Sequence, residues 1–169
     1  MDGTLAALTL IFGLWDMAGN HCTTGCVAAS GAQGYIAVSA GSVFLNEDRI
    51  GTEIYVRRDT RRQFGPFQAT YGVSVTDDGS VWFGAGPTES LPFKSDAIVV
   101  QLHTMAGLYL AGDGADLGGP IEFRSGVEVG FVAQSGMRFG LTYDHRSNAG
   151  LYADNPGLET IQLRVSVPF

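Results

Sequence analysis

Charge is scarce in this chain of 169 residues: Asp, Glu, Lys and Arg together make up 16% of it. Little charge combined with 45% hydrophobic residues excludes a disordered chain, which has the opposite balance. Long apolar runs are missing as well. After Ser30 no window supplies the ~20 apolar residues that a spanning helix needs, so a helical membrane protein is excluded. Cysteine is confined to Cys22 and Cys26. Their offset, with His21 alone beside them, does not make a zinc site. Basic residues number 10 against 17 acidic ones, giving a net charge of -7 with no basic stripe, which argues against nucleic acid as a partner. Gly112, Gly114 and Gly118 lack the strand-turn-helix setting of a dinucleotide fingerprint. What the chain does have is glycine, 24 of them, and alternation of apolar with polar residues.

Residues 1–32 differ from the rest. Leu5 to Trp15 is an apolar run of about the length of an export-signal core, and small residues follow at Val27, Ala28, Ala29, Ser30 and Ala32. Asp2 is the only early charge, so the positive start of such a signal is missing. The expectation is an export segment over 1–32, with a short N-terminal helix as the alternative, and one folded domain over 33–169. Both cysteines would leave with the segment.

From Gly34 onward, eight segments carry a period of two: 34–45, 49–58, 64–76, 80–91, 96–111, 121–134, 137–148 and 157–169. Asn46-Glu47-Asp48, Asp77-Asp78-Gly79 and Ser135-Gly136 are short hairpin turns, and Gly112 to Pro120 is a longer loop. No helix-length segment lies between the strands, so the sheet is antiparallel. Ile50, Thr52, Ile54 and Val56 oppose Gly51, Glu53, Tyr55 and Arg57. Ile121, Phe123, Val127 and Val129 oppose Glu122, Arg124 and Glu128.

Polar faces with both signs of charge suit two architectures. A soluble sandwich or lipocalin-like barrel turns them to water. An all-β, eight-stranded antiparallel transmembrane β-barrel turns them into a packed lumen, with the apolar faces in lipid. An even strand number, segments near the ~9–11 residues of a tilted membrane strand, and a last alternating strand ending on Phe169 favour the membrane barrel of outer-membrane type. Trp82, Phe93, Tyr109, Tyr143 and Tyr152 are candidates for aromatic girdles. His103 falls on the lumen side and takes no part in chemistry.

The last two strands carry the chemistry. Met137, Phe139, Leu141, Tyr143, His145 and Ser147 share one face, and Glu159 shares the apolar face of Ile161, Leu163, Val165, Val167 and Phe169. His145 and Ser147, two residues apart on a strand, have Cα atoms ~6.5–7 Å apart and side chains on one side. If His145 lies opposite Glu159, Ser147 lies opposite Gly157, and a directly opposed carboxylate, with Cβ atoms ~4.5–5.5 Å apart, reaches the imidazole. Serine needs a base to become a nucleophile. His145 would be that base, Glu159 would orient it, and Asn148 with the backbone near Gly150 would donate to the oxyanion. The scheme needs no metal and no cofactor.

The run His145, Ser147, Asn148, Ala149, Gly150 and Leu151, followed by Gly157 and Glu159, closely resembles the lipid A 3-O-deacylases of Gram-negative outer membranes, over about residues 143–169. The resemblance implies a Ser-His-Glu triad on the outside of an eight-stranded barrel. It also implies lipid A or lipopolysaccharide as partner and substrate, and an outer-membrane location. The Asn155-Pro156 order before Glu159 departs from the family pattern. With both termini periplasmic, the loop joining the last two strands is extracellular. Ten steps from Glu159 to Phe169 then span roughly 23 Å at a tilt of ~45°, which sets the triad at outer-leaflet depth. The competing expectation is a non-catalytic barrel serving as an anchor or adhesion module.

Overall fold

The computed structural model describes residues 3–23, 25–91 and 97–169. Nine strands follow an N-terminal helix: β1 (Ala29–Gly31), β2 (Tyr35–Leu45), β3 (Asp48–Phe64), β4 (Phe67–Thr76), β5 (Val81–Leu91), β6 (Ile98–Leu110), β7 (Ile121–Val132), β8 (Arg138–Ser147) and β9 (Leu158–Pro168). Sequential antiparallel pairing joins β2 through β9. The β2–β9 pairing then closes an eight-stranded barrel. Closure leaves no barrel edge unpaired, which an apolar surround requires. β1 continues the edge used by β2 and pairs with the end of β3, Ala29 opposite Phe64.

The alternation expected from the sequence is the one observed. Ile36, Val38, Ile54, Val56, Val73, Val75, Val129, Leu141, Leu163 and Val165 are exposed on the outer wall. Glu53, Arg57, Arg124, Glu128, Thr142, Asp144, Arg146, Gln162 and Arg164 are buried inside. The lumen is a network of charge-assisted bonds. Arg124 donates to Asp144 at 2.6 and 2.9 Å and to Glu53 at 2.8 Å, and stacks 3.9 Å from the Tyr55 ring centre. Arg146 donates to the other Glu53 oxygen at 2.6 Å, and Arg164 donates to Glu128 at 2.9 Å. His103 lies in this network between Arg57 and Asp144, as its place in the alternation predicts.

Two expectations need correction. β3 does not stop at 58 but runs to Phe64, and β4 starts at Phe67, so the hairpin turns at Gly65-Pro66 with φ +57° at Gly65. Thr60–Gln63 are all polar and read as loop. They stay extended because β1 pairs with Arg62 and Gln63 from one side, while β4 takes up Gln63 from the other. Trp82 and Tyr109 are not girdle residues. Both turn into the lumen, where the Trp82 indole donates to the Glu122 carbonyl at 3.2 Å and Tyr109 donates to Ala115 O at 2.9 Å. Phe93 lies outside the described residues. Residues 4–16 form the helix α1 (Thr4–Asp16). Cys22 and Cys26 are disulfide-bonded to each other. Among the described residues no helix is long and apolar enough to cross a membrane, which says nothing of strands.

α1 lies along the outside of the wall against β5, β6 and β7. Thr9 and Gly13 face the barrel and are buried. A Cβ at Gly13 would collide with the Phe67 ring and the Glu89 carboxylate, so glycine permits the close approach.

Candidate active site

The β8–β9 ladder sets His145 directly opposite Glu159. Register in a sheet is fixed when one face is buried, because a slip of one residue would turn every side chain to the wrong side. Here the lumen supplies that constraint. Asp144 and Arg146, the neighbours of His145, are tied to Arg124 and Glu53, and Thr160, next to Glu159, faces the same interior. The buried network thus locks β8 and β9 from inside while His145, Ser147 and Glu159 project outward.

The His145 Nδ1 lies 3.0 Å from Glu159 Oε1. An Nδ1–H donating to the carboxylate leaves Nε2 as the basic nitrogen, and Nε2 makes no hydrogen bond among the described residues. Ser147 therefore stands on the same face as His145, one pleat repeat away, without a hydroxyl–imidazole hydrogen bond in this state. Gly157 explains the fit of the imidazole: a Cβ there would sit 2.8 Å from His145 Cε1 and 3.3 Å from Glu159 Oε1. Beside Glu159 an open groove of about 380 Å³ is lined by Phe44, Tyr143 and Ile161, with Asn46 and Glu47 at its rim.

Asn148 is committed elsewhere. Its Nδ2 donates to Leu117 O at 2.8 Å and to Asp154 O at 2.7 Å, its backbone N–H donates to Asn155 Oδ1, and its Oδ1 accepts from Gly150 N at 2.9 Å. These bonds fold the tight turn after Ser147, in which Ala149 and Gly150 have φ of +54° and +78°. Both expected oxyanion donors, Asn148 and Gly150, are thus used inside the loop. Asn155 lies in the same loop. Its Oδ1 does serve the turn, but its Nδ2 makes no hydrogen bond among the described residues. Ser125 was missed altogether. It pairs with His145 from the β7 side and lies on the same outer face. Only alternation along β7 points to it, because a lone serine in a strand carries no motif.

His145, Ser147 and Ser125 are 4%, 8% and 4% exposed although they point out of the barrel. Gly3, Thr4 and Leu5, at the start of α1, lie against His145, and α1 packs on β7, the strand of Ser125. Among the described residues no group of His, Cys, Asp and Glu has the arrangement of a metal site.

A closed eight-stranded barrel with an apolar wall and a polar, filled lumen defines the outer-membrane class of β-barrel. The sequence model of the lipid A 3-O-deacylase (PagL) family matches residues 51–168, a span containing His145, Ser147 and Glu159. The chain belongs to that family of carboxylic ester hydrolases of the bacterial outer membrane. It is 38% identical over 53 residues to the lipid A deacylase PagL of Bordetella bronchiseptica, a match covering 31% of this chain and 30% of that protein. The matched stretch is therefore under a third of the relative's length. The fold is similar to the crystal structure of the outer membrane enzyme PagL, with TM-score 0.65 and 18% identity over 80% of this chain and 99% of that one. It is also similar to Neisserial surface protein A, with TM-score 0.61 and 11% identity over 84% and 99% of the two chains. An enzyme and a surface protein share this barrel, so the fold alone does not decide the chemistry.

Proposed function

We propose that this chain hydrolyses the 3-O-linked acyl ester of lipid A with Ser147 as nucleophile, His145 as general base and Glu159 as the orienting carboxylate. The site would lie on the lipid-facing side of the barrel at the level of the outer leaflet. The observation that carries this reading is the Nδ1–Oε1 contact of 3.0 Å across the β8–β9 ladder, on the outer wall and beside a serine of the same face. In an apolar surround an isolated carboxylate is costly, so a paired His and Glu on such a wall point to use.

In the reaction, His145 Nε2 takes the Ser147 proton as Oγ attacks the ester carbonyl. The imidazolium is stabilised by Glu159 and then protonates the leaving sugar oxygen. A water, deprotonated by the same nitrogen, releases the hydroxy fatty acid from the acyl-enzyme. Asn155, whose Oδ1 accepts from the backbone N–H of Asn148 next to Ser147 in sequence, has an uncommitted Nδ2 and is our candidate for the oxyanion donor. The groove lined by Phe44, Tyr143 and Ile161 is a path for an acyl chain next to Glu159.

Residues 1–32 we read as an export segment. Its departure removes α1 from the wall and opens the site, while the barrel β2–β9 closes without it.

The test is incubation of the detergent-solubilised protein with lipid A, followed by mass spectrometry. Loss of one hydroxyacyl chain is expected with the unsubstituted protein, and none with Ser147→Ala. Equal loss with both rejects the triad. Loss with neither favours the non-catalytic barrel.

A further inference from the structure

Glu159, His145, Ser125 and Thr104 are successive ladder partners on β9, β8, β7 and β6. All four lie on the outer side, since their strand neighbours Thr160, Asp144, Arg124 and His103 are buried in the lumen. A lateral row of hydrogen-bonding side chains therefore crosses the outer wall over four neighbouring strands. The hydrolytic scheme uses two of them. Ser125 and Thr104 are left over, and neither hydroxyl makes a hydrogen bond among the described residues. A polar group facing hydrocarbon without a partner is unfavourable, and membrane positions that keep one are tied to ligands or pathways.

We propose that Ser125 and Thr104 form a second part of the substrate site, donating to the carbonyl of the acyl group next to the one being cleaved. This rests on the deacylase reading above and deepens it. Neighbouring strands are ~4.8 Å apart, so the two hydroxyls stand about 5 and 10 Å from His145 along the row. That is the range over which one sugar ring carries its adjoining acyl linkages. The free donors lie only on the β7 side of His145, because Glu159 on the β9 side is engaged. A sugar bearing two adjacent acyl groups would thus lie across β8, β7 and β6, with the reacting ester at Ser147 and its neighbour at Ser125.

The test uses protein purified from outer membranes in detergent. It measures lipid A binding to the Ser147→Ala form, and the preference of the active form for lipid A over a soluble nitrophenyl ester. Ser125→Ala and Thr104→Val should each weaken binding and lower that preference about five- to tenfold, the usual weight of one hydrogen bond. Ser125→Thr and Thr104→Ser should retain both. Heat-modifiable gel migration reports folding, and removing a hydroxyl from an apolar wall should leave it intact. Unchanged binding and unchanged preference overturn the proposal. Weakened binding together with no acyl release by the unsubstituted protein upholds the strip and overturns the deacylase reading instead.

Discussion

Gly157 is where a single atom decides the site. An alanine there would bring its Cβ to 2.8 Å from His145 Cε1, so the imidazole must swing and its bond to Glu159 must loosen. Gly157→Ala should lower turnover by about 10²-fold, as small misplacements of catalytic groups do, with the folded barrel preserved on gels. Asn148 and Asn155 separate in the same way. Asn155→Asp keeps the oxygen that accepts from Asn148 N but loses the donor, so turnover should fall by ~10²-fold to 10³-fold at unchanged barrel stability. Asn148→Ala strips the Leu117 and Asp154 carbonyls of their donor. It should expose the 148–157 loop to protease and cost about 1–3 kcal/mol. The sequence named His145, Ser147 and Glu159 as one constellation because alternation on two strands fixes their side. It did not reveal that the Asn148 side chain is engaged, because one of its bonds reaches Leu117, on a loop far off in sequence.

At the level of elements, the hairpin β8–β9 was legible and α1 was not. His145 opposite Glu159 follows from period two and a lumen that tolerates only one register. The helix could not be told from an export segment, since an apolar run of that length serves both. Its placement explains why outward-pointing His145 is nearly inaccessible. If residues 1–32 are removed on export, the N-terminus of protein isolated from outer membranes should map near Ala32 by mass spectrometry. A serine-reactive fluorophosphonate should then label that mature form at least about tenfold faster than the full chain, as expected when a cover is removed. An intact Gly3–Asp16 segment on rapidly labelled protein would contradict this. β3 was underestimated for a different reason: Thr60–Gln63 owe their extended form to partners on either side, which local pattern does not reveal.

For the whole molecule, two faces with opposite demands set stability. Inside, Glu53 pairs with Arg124, Arg146 and Gln162, all buried. Glu53→Ala would leave the Arg146 guanidinium without a carboxylate and Arg124 with Asp144 alone, and should cost about 3–5 kcal/mol, read as a lower thermal midpoint in detergent micelles. Outside, Leu163 is 73% exposed on the wall, and Leu163→Arg should cost about 2–4 kcal/mol in a bilayer while being nearly neutral in water. That contrast separates a membrane barrel from a soluble one. Strand number, sidedness and the filled lumen were readable beforehand, because eight alternating segments ending on Phe169 favoured a membrane barrel, and such a barrel turns charges of both signs into a closed, paired interior. The inward turn of Trp82 and Tyr109 was not foreseen, since aromatics suit a girdle and a packed lumen equally well.

The central claim is that Ser147 is made nucleophilic by an imidazole held by Glu159 on the outer wall. Peptide mapping after reaction with a fluorophosphonate tests it most directly. A single adduct on Ser147 is expected, formed at a rate that falls at least about 10²-fold in both His145→Asn and Glu159→Gln. An adduct on another residue, or labelling of Ser147 that ignores both substitutions, would contradict it.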